Sequence, residues 1–368
     1  MKLSPFVLER HFAKYEFDVP YQLSCSDCEP LRMQELLALA TPDSLRLWET
    51  LQFLYTDTNG HPLLRKEIAE WYGNVKQEDL LVCVPEEGIY LVMKALLEKE
   101  DHLVVISPSY QSLYELAIET GCSVSRWEAD EKGIYQVETL KSLVNAKTRL
   151  VVINFPHNPS GTMISRAVLE EIVWFCDRSG ILVFSDEMYR GLEQNPGDRL
   201  PCASSLSDFS ISLSGMSKSF ALPGLRIGWL SCSDPVIFEK LLRLKDYTTI
   251  CSSAPSEILS LIALQSREMI LNRNLAIIKK NISLVNEFVR RYPSKYSWTE
   301  PKAGSVAMLN ILTGQTSEEF CQAFLEKKQV LAIGSHLFNM PGPAIRLGLG
   351  RIGFAEALAE LSQFTSEL

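Results

Sequence analysis

No run of apolar residues in this chain reaches the roughly 18 needed to cross a bilayer as a helix, so no membrane partner is expected. Positive charge is scarce too: 36 Lys and Arg stand against 45 Asp and Glu, giving a net charge of −9 and a pI near 5.3. That balance leaves no electrostatic footprint for nucleic acid or an anionic membrane surface, and any cationic site has to be local. Repeats and low-complexity tracts are lacking as well. The nine cysteines form no paired framework, and the opening MKLSPFVLER lacks the apolar stretch of a secretion leader. Both features lead us to expect a reduced, cytoplasmic protein. Cys25 and Cys28 form a C-x-x-C, but no second pair or spaced histidines complete a zinc set, so we expect two incidental thiols and no metal.

What is present is the material of a large folded protein. Apolar residues make up 46% and charged residues 22%, which argues against disorder. At 368 residues the chain exceeds the length at which one core stops growing, so one large and one smaller domain are expected.

From about residue 80, short apolar runs alternate with helical patterns. LLVCV, HLVVIS, RLVVINF, ILVFSD, SISLSG and RIGWLS read as strands. Several are continuously apolar, as parallel strands covered on both faces by helices would be. EEGIYLVMKALLEK and RAVLEEIVWFCDRSG read as helices between them, the second closed by a glycine. A long helix is expected around 269–291 and another at the C-terminus, while residues 1–40 read as irregular apart from a helix at LRMQELLALA. The pattern predicts an α/β fold, with a doubly wound, mostly parallel sheet in a large domain over 45–275. The smaller α/β domain is expected to combine 1–44 with 276–368.

Three polar residues fall at or just after strand ends: Asn158, Asp186 and Lys218, separated by 28 and 32 residues, about one strand–helix unit. Ligands of open α/β sheets bind beyond the carboxyl ends of the strands, so three loops converge on one place. Lys218 lies in SLSGMSKSFALPGLRIGW, with Arg226 eight residues later. An apolar-flanked lysine just past a strand commonly serves as a Schiff-base amine. Taken singly, each residue has a plainer reading. Lys218 could sit on a serine-rich surface turn, Asp186 could cap a helix, Tyr189 and Tyr110 could be core aromatics, and Asn158 could open a turn. Arg346 could equally make a surface salt bridge.

Together, NFPHNPSGT at 154–162, SDEMYRG at 185–191 and the lysine run resemble the pyridoxal-phosphate (PLP) aminotransferases of classes I and II, fold type I. The likeness extends over residues 50–355. It implies that Lys218 forms the Schiff base with PLP and then shuttles the proton at Cα, which calls for a depressed pKa. It implies that Asp186 pairs with the pyridine nitrogen and keeps the ring an electron sink. Tyr189 and Asn158 match the pair that hydrogen-bonds the phenolic oxygen, Asn158 also facing substrate. Tyr110 matches the aromatic stacked on the ring, and Ser217 and Arg226 match phosphate ligands. Tyr55, five residues before Gly60, matches the tyrosine that reaches the phosphate of a neighbouring subunit, which implies a homodimer with shared sites. Arg346, in AIRLGLGR, matches the arginine that grips the substrate α-carboxylate.

The sequence departs from the family pattern in three places. Where relatives carry a glycine and a small residue to cradle the phosphate, this chain has Val84 and Pro85, then Glu86 and Glu87. Pro85 has no N–H to offer, so Glu86 and Glu87 are expected to contribute backbone contacts only. Gly215 replaces a phosphate-binding serine, for which Ser214 or Ser217 could substitute. The N-terminal loop reads SCSDCEP without the usual glycine, bringing Asp27 or Ser26 toward substrate. The expected reaction is transamination between an L-amino acid and a 2-oxo acid. A β-lyase or other α-carbon chemistry on an unusual amino acid is the alternative, and a catalytically silent PLP-binding regulator is a further one.

Overall fold

A computed structural model describes residues 3–131 and 133–367. Its central sheet contains β1 (Leu80–Cys83), β2 (His102–Ser107), β3 (Ser123–Glu128), β4 (Thr148–Asn154), β5 (Leu182–Asp186), β6 (Ser210–Gly215) and β7 (Gly228–Cys232). The strand order is β1-β7-β6-β5-β4-β2-β3. All neighbouring pairs are parallel except those of β7, which runs against both β1 and β6. The apolar runs have the expected cause. Val105, Val152 and Phe184 join one buried cluster while Val104, Val151 and Val183 join another, so side chains pointing both ways are covered. The strand absent from the sequence reading is β3, an edge strand of sequence SVSRWE whose side chains are mostly part-exposed and too polar to register as an apolar run.

A second, four-stranded antiparallel sheet has β8 (Tyr296–Trp298), β9 (Val306–Ile311), β10 (Ile333–Gly334) and β11 (Ala344–Gly348) in the order β10-β11-β9-β8. Its apolar cluster draws on Ile278, Ile282 and Val285 of the long helix Arg267–Arg291, on Phe320 and Phe324, and on Phe354, Leu361 and Phe364 near the C-terminus. Leu23 and Cys28 join it from the other end of the chain. We propose the two-part division at residues 44 and 275; residue 275 itself lies inside the long helix, and Leu36, before the first boundary, packs with Leu64 and Trp229 of the large part.

The N-terminal region departs from expectation. Residues 7–15 form a helix, α1 (Val7–Tyr15), in a stretch that reads as irregular, whereas the helix at LRMQELLALA shrinks to Met33–Leu37. Only Leu8 of α1 is fully buried. The helix therefore depends on tertiary contact, with Leu8 packed against Ile333 and Phe338. Beyond it, residues 21–29 are stitched to the second sheet. Leu23 N–H donates to the Leu331 carbonyl at 2.9 Å, Gly348 N–H to that of Leu23 at 2.8 Å, and Glu29 N–H to that of Gly350 at 2.8 Å.

The crossing leaves no room for a side chain at residue 348, because a Cβ there would collide with the Cys25 backbone. Gly348→Ala should therefore cost about 3 kcal/mol or more, since backbone cannot yield as a side chain does. The denaturation midpoint reads this out, and an unshifted midpoint would show that the segment is not pinned there.

Candidate active site

The strand ends deliver the site. Asn154 closes β4 and Asp186 closes β5, and the two are register partners. Asn154 Nδ2 donates to the Asp186 carbonyl at 2.9 Å, and Asn154 Oδ1 accepts from the Asn158 N–H at 2.9 Å. Asn158 Oδ1 in turn accepts from Arg346 Nη1 at 3.3 Å, and Arg346 Nη2 donates to the Ser24 carbonyl at 2.9 Å. One hydrogen-bonded line thus runs from the central sheet through β11 to the N-terminal loop.

A cavity of about 400 Å³ opens along this line. Of the residues singled out in the sequence, Lys218, Asp186, Tyr189, Asn158, Tyr110, Arg226, Ser217, Glu86 and Arg346 all line it. Three do not. Glu87 faces the other way, accepting from Val84 N–H at 3.3 Å and Thr249 Oγ1 at 2.7 Å. Tyr55 is 88% exposed, and Asp27 is tied to Arg351 at 2.7 Å. Ser26, weighed alongside Asp27, does line the cavity and accepts from Lys218 Nζ at 2.7 Å.

Electrostatics follow from burial. Desolvation lowers the Lys218 pKa, with nearby Asp27 opposing it and Arg346 reinforcing it. Asp186 is pushed up to about 6 by burial, against the Met188 N–H that it accepts at 3.1 Å. Burial likewise pushes Glu86 up to about 7. A carboxyl at that value carries only part of a charge near neutrality, so it opposes an incoming anion less than its identity suggests.

Two buried polar atoms at the cavity, Tyr189 Oη and Arg346 Nε, have no hydrogen-bond partner among the described residues. Orphaned buried donors are costly, and a ligand accounts for them economically. Arg226 adds a backbone signal: its φ is +53°, a strained value for a non-glycine residue, and its Nη1 reaches Ser217 Oγ at 3.5 Å.

The sequence departures have a steric explanation. Pro85 opens the helix Pro85–Leu96, and its ring occupies the space above two glycines. A Cβ on Gly215 would stand 2.9 Å from Gly228 Cα and the Ile227 carbonyl and 3.0 Å from Pro85 Cγ, and one on Gly228 2.5 Å from the Ser214 carbonyl and 2.7 Å from Pro85 Cγ. Glycine at 215 is thus required by the facing backbone of residues 227–228 and also leaves room for the ring of Pro85. Ser214 cannot replace the missing serine, because its hydroxyl points to the Glu187 carbonyl at 3.4 Å, whereas Ser217 faces the cavity. Sequence reasoning missed Asn154 and Glu9. The first was visible as an asparagine ending an apolar strand; the second lies on α1, where no helix was read.

No group of His, Cys, Asp and Glu among the described residues is arranged to hold a metal, and no described helix is long and apolar enough to cross a membrane. Comparison with known proteins agrees on one family. The model of aminotransferase class I and II matches residues 40–361. The capreomycidine synthase of Streptomyces vinaceus is 29% identical over 281 residues, covering 75% of this chain and 70% of that one. The L-aspartate:5-guanidino-3-methyl-2-oxopentanoate transaminase of Pseudomonas syringae pv. syringae is 27% identical over 311 residues, with 81% and 78% covered. The crystal structure of a PLP-dependent aminotransferase from Streptococcus suis superposes with a TM-score of 0.93 at 28% identity, covering 100% of this chain and 99% of that one.

The raised pKa of Asp186 has a consequence for stability. A carboxyl lifted from 3.8 to about 6 favours the protonated fold by about 3 kcal/mol. That contribution is complete below pH 3.8 and is lost as pH rises through about 6. Asp186→Asn keeps the acceptor for Met188 N–H but never ionises. Without cofactor, the variant should therefore be more stable than wild type at pH 8, by up to about 3 kcal/mol, with the difference shrinking toward pH 4. Denaturant midpoints at the two pH values test this, and a variant less stable at pH 8 would contradict it.

Proposed function

This chain belongs to the class I and II aminotransferases, and from that membership we propose that it moves an amino group between an L-amino acid and a 2-oxo acid. The observation that carries the reading is the convergence on one cavity of Lys218, Asp186 and two orphaned donors, Tyr189 Oη and Arg346 Nε. The cofactor is pyridoxal 5′-phosphate, and the residues fit it. Lys218 would hold its carbonyl carbon, Asp186 its ring nitrogen, Tyr189 and Asn158 its phenolic oxygen, Tyr110 its ring face, and Ser217 with Arg226 its phosphate. When bound, it supplies a carbonyl for the substrate amine and a ring that draws electrons from Cα.

The remaining work falls to the chain. Lys218, its pKa lowered by burial, has an amine able to take the Cα proton and return it elsewhere. Asp186 is the buried carboxylate that holds a proton on the ring nitrogen. Arg346, 1% exposed and fixed by Asn158 and Ser24, turns its free Nε toward the substrate carboxylate. A second reading, α-carbon chemistry without net amino transfer, is supported by the synthase among the relatives. Lys218→Ala should abolish conversion under either reading. In the wild type, ¹⁵N passing from an amino acid into a 2-oxo acid supports transamination, whereas conversion of the amino acid without such passage supports the alternative.

We further propose a homodimer in the cytoplasm. The nine cysteines are unpaired thiols, in keeping with a reducing compartment. Phe53, Leu54 and Tyr55 are 90%, 69% and 88% exposed, and Tyr247 is 84% exposed. Thr56 Oγ1 donates to the Ser252 carbonyl at 3.2 Å, joining the two segments, and their exposed aromatic and apolar side chains suit cover by a second copy. With Tyr55 serving the neighbour's site, mixing Tyr55→Phe and Lys218→Ala chains should restore part of the activity each lacks, because one site of the mixed dimer keeps both residues. Failure to recover activity in a verified mixed dimer would refute shared sites.

A further inference from the structure

The proposed roles leave the cavity's charges unevenly used. Lys218, Arg226 and Arg346 are its three cationic lining residues, and each already faces a partner: the cofactor carbonyl, the phosphate and the substrate carboxylate. Asp186 is likewise committed. Two acidic side chains remain, Glu86 and Glu9. Glu86 stands in the first turn of Pro85–Leu96, where Glu9, Asp186 and Arg226 all act on it. Glu9 is different. It projects from α1 into the cavity that Lys218 and Arg346 also line, is hydrogen-bonded to Tyr110, and its charge acts on both of those cations.

Glu9 is also held in place. Tyr110 Oη donates to its Oε1 at 2.5 Å, the Phe6 ring lies 4.8 Å from the Tyr110 ring, and Val7 N–H donates to Gln111 Oε1 at 2.9 Å. The hydrogen bond from Tyr110 takes one of two carboxylate oxygens. Around Glu9 the wall is apolar, with Phe6, Leu8, Phe12 and Ile89.

We propose that Glu9 is a specificity-determining residue, and that it receives the cationic end, an amine or guanidinium, of the substrate's side chain. The inference rests on the aminotransferase reading. An acidic side chain would meet Glu9 in a cavity whose cations are already engaged, and a purely apolar one would leave the carboxylate partly desolvated with no new partner. A cation on a methylene stem satisfies both the charge and the apolar wall.

The test compares kcat/KM of the holoenzyme for L-arginine, L-ornithine, L-norleucine and L-glutamate, norleucine having a methyl where ornithine has its ammonium. Wild type should prefer the two cationic substrates, and Glu9→Gln should cut their advantage over norleucine roughly 10- to 100-fold, mainly through KM. Tyr110→Phe breaks the same hydrogen bond but keeps the carboxylate, so it should retain the preference. Binding of the four amino acids to Lys218→Ala protein reads the same selectivity without turnover. A holoenzyme that transfers no amino group overturns the aminotransferase reading, and the binding series then still decides on Glu9. Equal losses for all four substrates in Glu9→Gln, or a wild type that favours norleucine or glutamate, would overturn the assignment.

Discussion

A guanidinium that is 1% exposed has to be held almost entirely by protein, and Arg346 is held by both parts of this molecule at once. Asn158, from the loop after β4, takes one nitrogen, and the Ser24 carbonyl, from the N-terminal segment, takes another. Each anchor is itself fixed. Asn158 hangs from Asn154, which hangs from Asp186, while Ser24 Oγ donates to the Arg346 carbonyl and accepts from Ile333 N–H. Removing any link would leave a buried polar group unpaired, so the geometry at Arg346 constrains where the two sheets can sit. The one nitrogen left without a partner among the described residues, Nε, marks where that network expects a ligand.

The same economy explains the altered helix entry. A proline at the first helical position loses no hydrogen bond, because that N–H has no intrahelical partner in any case. Its ring sits against glycines 215 and 228, whose own strands already pack too closely for a Cβ at either position. The proline at 85 and the glycine at 215 are therefore compatible in packing. Ser217 lines the cavity beside Arg226.

What could be read from the sequence follows from how burial is distributed. Strands covered on both faces announce themselves as apolar runs, and all six that were read are present within a few residues of their expected limits. Lys218 and Asp186 stood out because a charged residue at the end of such a run is conspicuous. The edge strand β3 and the helix α1 gave no such signal, since each buries little of itself and relies on neighbours distant in sequence. Glu9 was lost with α1. Its proximity to Tyr110, 101 residues away, is created by the fold alone. Asp27 shows the converse: its position in the loop was read correctly, but its carboxylate is engaged by Arg351, which no local pattern could reveal.

Burial also sets the reactivity of the site against its stability. Desolvation lowers the pKa of Lys218 and raises those of Asp186 and Glu86, so all three groups resist carrying their usual charge in the fold as it stands. A site of this kind is least comfortable without a ligand. A cation beside Asp186 or an anion beside Arg346 would offset the desolvation that shifts these groups. Ligand binding and folding are consequently coupled through the same buried charges, and the tightness with which the chain holds its cofactor is in part the strain it carries in its absence.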